Sequence, residues 1–203
     1  MPWDVEATKK RIYDAALVEF AEFGLSGTTV ERIAKRARIN RERVYNHFGD
    51  KAELFSIVIG RELDKIAAAA PLAITTIDDV GQFAESTFDY QRAHPEVARL
   101  VLWEGLSDNG AVTGEDVRAG LYRRKVAAVA AAQEAGIVDS DFSPAHLVFL
   151  LISLSSYWSA APQIARMLSG SDVDFEADVA RRRDAVVRAA RKLAEPRTHT
   201  RAP

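Results

Sequence analysis

The polar side chains best suited to chemistry crowd into one short stretch of this 203-residue chain. From Arg32 to Lys51 there are seven basic residues (Arg32, Lys35, Arg36, Arg38, Arg41, Arg43 and Lys51) against two acidic ones, Glu42 and Asp50. Cations at that density neutralise phosphate, and a well-held arginine also pairs with the O6 and N7 of guanine. A basic run by itself is as readily a solvated face. The helical pattern beneath this one argues for nucleic acid.

Val30, Ile33, Ala34 and Ala37 recur at i, i+3, i+4 and i+7, which predicts one apolar stripe on a short helix capped by Thr28 or Thr29. Arg38, Ile39 and Asn40 break that period, and Asn40 is a good N-cap for a second helix from Arg41 to about His47. In this second helix only Val44 and Phe48 face inward. Arg41, Glu42, Arg43, Asn46 and His47 are left for a partner. Two short helices joined by a three-residue turn, the second exposed and polar, form a helix-turn-helix.

At these residues the chain resembles the DNA-binding domain of the tetracycline-repressor (TetR) family of bacterial transcriptional regulators. The resemblance covers about residues 7–60. It is carried by I-x-x-A-A-x-x-x-F-A-E-F-G from Ile12 to Gly24, by G-T-T-V-x-x-I-A at 27–34, and by V-Y-N-H-F-G-D-K at 44–51 with Glu53 and Leu54. It implies a ligand-responsive regulator, most often a repressor, that grips a palindromic double-stranded DNA operator as a homodimer and is released by a small, largely apolar ligand. In that reading Thr29, Tyr45, His47 and Lys51 hold phosphates, and Arg41, Glu42, Arg43 and Asn46 face base edges.

Two positions depart from the family pattern. Arg38 stands where the turn usually has glycine, and Glu42 where a small residue or proline is usual. A left-handed backbone at a non-glycine residue costs roughly 1–2 kcal/mol. With Arg41 and Arg43 able to read guanine, G·C pairs are expected at the contacted steps.

The elements that position this pair are helical. No alternating strand pattern occurs, so the class is all-α: an N-terminal three-helix DNA-binding domain at 1–51, a connecting helix at 52–70, and a helical ligand-binding and dimerisation domain at 71–195. Residues 196–203 are expected to be a disordered tail. About nine helices are predicted. The first runs from about Val5 to Phe23 and ends at Gly24, with Ile12, Ala16, Phe20 and Phe23 facing inward. The fourth opens on Asp50 and Glu53, which suit a capping box. Later helices are expected at about 78–93, 95–107, 114–135, 144–161 and 174–194.

Aromatics gather in the second domain, and Phe88, Trp103 and Tyr122 are the expected walls of an apolar ligand cavity. The last two helices carry apolar faces that suit a two-fold bundle, with Leu151, Leu154, Val179, Val186 and Ala190 as the expected dimer contacts.

Charge is uneven: the N-terminal quarter is net positive within a chain of net charge −2. No cysteine is present, which excludes disulfides. Four dispersed histidines, His47, His94, His146 and His199, lack metal-ligand spacing, and no nucleophile elbow or phosphate loop occurs. Neither an enzyme nor a cofactor or metal is expected. No apolar run is long enough for a signal peptide or a membrane span, so a cytoplasmic protein is expected. The alternative reading is a helical small-molecule carrier or interaction module that does not bind DNA.

Overall fold

The computed structural model describes residues 2–106, 115–170 and 176–196. All regular structure among them is helical: α1 (Pro2–Gly27), α2 (Val30–Ala37), α3 (Arg41–Phe48), α4 (Lys51–Ala69), α5 (Ile77–Ala93), α6 (Pro95–Gly105), α7 (Glu115–Glu134), α8 (Pro144–Ala160), α9 (Pro162–Ser169) and α10 (Glu176–Ala194). The all-α class holds, with one helix more than expected among the described residues. Pro162, read as a stop, is instead the first residue of α9, a position where its missing N–H costs nothing. The expected disordered tail lies almost wholly outside the described residues.

The chain forms two compact units, Met1–Lys65 with His94–Glu115, and Ile66–Ala93 with Asp116–Pro203. The boundary falls within α4, and α6 belongs with the first unit. Among the described residues no single helix is long and apolar enough to cross a membrane.

In the first unit α1 is the hub. Ile12, Ala16 and Phe20 are fully buried on it, and Phe20 meets Phe55 of α4 edge-on at 5.0 Å between centroids. The helix breaks at Gly24, with φ 67°, before a last turn to Gly27. A Cβ at Gly24 would lie 2.8 Å from the ring of Trp103 on α6, whose indole N–H donates to the Ala21 carbonyl at 3.3 Å. Close approach and positive φ therefore both call for glycine there.

In the second unit α5 packs closely on α8 and α10, around Val80, Phe83, Ala84, Phe88, Leu147, Leu151, Val186 and Ala190. Arg183 of α10 pairs with Glu85 at 2.6 Å and Asp89 at 2.8 Å on α5, fixing the register of the two helices. The residues expected at a dimer contact lie in or against this packing. Leu151, Val186 and Ala190 are at most 1% exposed within a single chain, and Leu154 and Val179 pack against the same core. The apolar face that α8 leaves uncovered is the opposite one, with Phe149 69% and Tyr157 58% exposed, and Leu150 beside them.

Candidate nucleic-acid interface

The helix-turn-helix is built from local hydrogen bonds. Thr29 caps α2 by accepting from the Arg32 N–H at 3.3 Å, while Thr28 is buried and its hydroxyl donates to the Glu19 carbonyl. Arg38 ends α2 in the left-handed conformation, φ 55° and ψ 50°, and its N–H and that of Ile39 return to Lys35 and Ala34. This is the glycine geometry, held by an arginine. Asn40 then caps α3 by accepting from the Arg43 N–H at 3.1 Å. Asp50 opens α4, accepting from the N–H groups of Ala52 and Glu53 while its own N–H donates to the Glu53 carboxylate, which completes the capping box.

Val44 and Phe48 anchor α3 from below, 1% and 6% exposed. Arg41, Glu42, Arg43, Tyr45 and Asn46 are exposed on its outer side, and His47 is half-buried. Arg41 pairs with Glu31 of α2 at 3.3 Å across an exposed surface. Hydrogen bonds from the backbone and then from Arg41 hold the Glu31 carboxyl below its usual range. Lys51 donates to the Thr28 carbonyl at 2.9 Å, so its ammonium is held beside the start of α2. The arrangement presents a short polar helix with cations along one side, a shape and charge suited to a DNA groove.

Two buried carboxylates of the first unit escaped the sequence reading. Glu19 of α1 is 4% exposed and accepts from Arg32 Nε at 2.8 Å and Arg36 Nε at 2.7 Å, while the Arg32 guanidinium also stacks 3.7 Å from the Phe23 centroid. Two of the seven cations counted toward DNA are thus engaged in holding α2 to α1. The available signal was the i, i+4 spacing of Arg32 and Arg36, which sets both on one side of α2. Glu62 of α4 is 1% exposed and accepts from the Tyr13 hydroxyl and, at 2.6 Å, from Lys65. Burial, and then the adjacent Glu62 carboxylate, push the Tyr13 phenol far above its ordinary value.

Two family descriptions match. Residues 12–58 match bacterial regulatory proteins of the tetR family, and residues 79–192 match the tetracyclin repressor-like C-terminal domain. The chain belongs to the TetR family. It is a transcriptional regulator with a DNA-binding helix-turn-helix. Among its relatives, it is 36% identical over 193 residues to the HTH-type transcriptional repressor SCO4008 of Streptomyces coelicolor, covering 95% of this chain and 97% of that one. It is 30% identical over 172 residues to the HTH-type transcriptional regulator RutR of Escherichia coli K12, covering 79% and 78% of the two chains. In structure it resembles SCO4942 of Streptomyces coelicolor, with TM-score 0.79, 30% identity and coverage of 93% and 98%.

For a TetR-family chain the expected ligand walls are distributed unexpectedly. Phe88 is 4% exposed in the core of the second unit, and Tyr122 is 42% exposed on α7. Trp103 belongs to the first unit, and its N–H donates to the Ala21 carbonyl. An apolar cavity of about 430 Å³ lies instead between α8 and α9, lined by residues that include Leu154, Tyr157, Trp158 and Ile164.

Proposed function

We propose that this TetR-family protein is a repressor that binds a palindromic operator as a homodimer and is released by a small, largely apolar ligand. The observation that carries this reading is α3: a polar helix pinned by Val44 and Phe48, with Arg41, Glu42, Arg43 and Asn46 outermost, in a chain 36% identical to a named repressor.

Arg43 is the strongest base-reading candidate. It is exposed, and no ion pair holds it among the described residues, whereas Arg41 is shared with Glu31. Arg41, Glu42, Arg43 and Asn46 read base edges, while Thr29, Tyr45, His47 and Lys51 hold phosphates. The outer face of α8, with Phe149, Leu150 and Tyr157, is the surface a second copy covers. Two-fold pairing then sets two α3 helices about one DNA turn apart, roughly 34–36 Å. A ligand bound in the second unit releases DNA by favouring a dimer geometry that no longer fits one face of the duplex. A cytoplasmic location follows from this function.

The test is binding of the purified protein to DNA upstream of its own coding sequence, titrated with salt beside a scrambled duplex. Arg43→Ala is expected to lose about 1–3 kcal/mol on the specific site and little on scrambled DNA. Equal loss on both would reassign Arg43 to phosphate. No preferred site, even from a random-sequence pool, would remove the repressor reading.

A further inference from the structure

The second unit contains a cation that no acid balances among the described residues. Lys125 of α7 is half-buried; its ammonium donates to the Ala70 carbonyl at 3.0 Å and lies 4.6 Å from the centroid of the Phe83 ring. No carboxylate stands within ion-pair distance of it among the described residues. Burial, and then the like charge of Arg124, lower its pKa from the ordinary 10.5. Two other cations of this unit that are buried or partly buried are paired with acids: Arg182 with Asp178, and Arg183 with Glu85 and Asp89.

From Phe83 the same stripe of α5 continues at i+4 and i+8 with Thr87 and Gln91. Thr87 is 3% and Gln91 6% exposed, and Thr87 Oγ1 and Gln91 Oε1 are buried without a hydrogen-bond partner among the described residues. Gln91 uses only its amide nitrogen, donating to Ser156 Oγ at 3.4 Å. Orphaned buried polar atoms are uncommon because each has given up water for nothing. Along the helix axis they stand about 6 and 12 Å beyond Phe83. Apolar side chains surround the row, among them Val80, Ala84, Phe88 and Val129. Among the described residues α7 approaches no other helix as closely as α5 approaches α8 and α10.

A cation against an aromatic face, followed by two neutral hydrogen-bonding groups within an apolar wall, is complementary to one kind of molecule. We infer that α5, α7 and α8 together bind an apolar carboxylic acid, its carboxylate on Lys125 and a hydroxyl or similar group on Thr87 and Gln91. A monoanion gains an unopposed cation and satisfies the orphaned groups; a neutral analogue gains only the second. The inference rests on the reading of the second unit as ligand-responsive, and it names the chemical class of that ligand.

The test uses three probes on the full-length protein: 8-hydroxyoctanoate, octanoate and octane-1,8-diol. Calorimetry is expected to give at least tenfold tighter binding of 8-hydroxyoctanoate than of the diol, with octanoate between them. Lys125→Met should erase the advantage of the acids and Lys125→Arg should keep it. Thr87→Val should remove the advantage of the hydroxyl while leaving that of the acid. DNA binding by each variant checks that it folds. Diol binding equal to that of the acids, acid preference surviving in Lys125→Met, or no binding of any probe would overturn the inference. Release from operator DNA is measured separately. An acid that binds through Lys125 without releasing DNA would leave the site standing and remove the ligand-responsive reading.

Discussion

Replacing Arg38 with glycine should stabilise the first unit, although it deletes an exposed cation from a DNA-binding domain. The residue sits at φ 55° and ψ 50°, the one non-glycine residue with positive φ among those described. That conformation costs an L-residue roughly 1–2 kcal/mol. Glycine removes this cost but widens the unfolded ensemble, which takes back about 0.4–1 kcal/mol. The closing hydrogen bonds, Arg38 N–H to Lys35 at 3.2 Å and Ile39 N–H to Ala34 at 3.0 Å, are backbone bonds and survive the change. A net gain of about 0.5–1 kcal/mol raises the melting temperature by about 1–4 °C for a chain of this size. The assay is thermal unfolding of wild type, Arg38→Gly and Arg38→Ala at equal ionic strength. Arg38→Ala removes the same charge but keeps a Cβ, so only the glycine variant should gain. If the glycine and alanine variants melt together, the backbone at 38 is not strained and the reasoning fails.

Other perturbations follow from contacts that cross between helices. Glu19→Gln should cost about 1–2 kcal/mol by chemical denaturation, below the usual figure for breaking a buried pair because Arg32 and Arg36 are near 40% exposed and regain water; no change would mean the carboxylate contributes nothing to α2 docking. At Gly81 an added Cβ would meet Arg191 Nε at 2.6 Å and Val187 Cγ1 at 3.2 Å. Gly81→Ala should be near neutral, since the exposed Arg191 can yield and alanine favours helix by about 1 kcal/mol; Gly81→Val should cost about 1–3 kcal/mol through overpacking, and equal melting of the two would refute the close approach of α5 and α10. Asp79 accepts hydrogen bonds from the backbone and hydroxyl groups of Thr75 and Thr76, which lower its pKa from the ordinary 3.8 to about 2. Its contribution to stability is therefore full above pH 3.8 and is lost as pH falls through about 2. An NMR titration placing the Asp79 midpoint near 3.8 would show that these bonds do not persist in solution.

Much of the reading head was legible because its determinants are local. The stripe of Val30, Ile33, Ala34 and Ala37, the Asn40 cap and the Asp50–Glu53 box each act within a few residues, so the chain order alone specifies both helices and their turn. The positive φ at Arg38 was signalled by the resemblance, because the family usually has glycine at that position of the turn. Charge pairing was less so. The sequence shows seven cations, but the tertiary structure decides that Arg32 and Arg36 are held by Glu19, 13 and 17 residues away. Helical periodicity reveals that a face is apolar, not what covers it. Leu151, Val186 and Ala190 mark such a face, and within one chain the packing of α8 and α10 with α5 is what covers them. Trp103 likewise belonged to a cluster only in sequence, since the return of α6 to α1 sets its indole against Gly24 and Ala21. The orphaned atoms of Thr87 and Gln91 and the unbalanced charge of Lys125 are purely tertiary features. They depend on which neighbours are missing, and a missing neighbour has no signature in the order of residues.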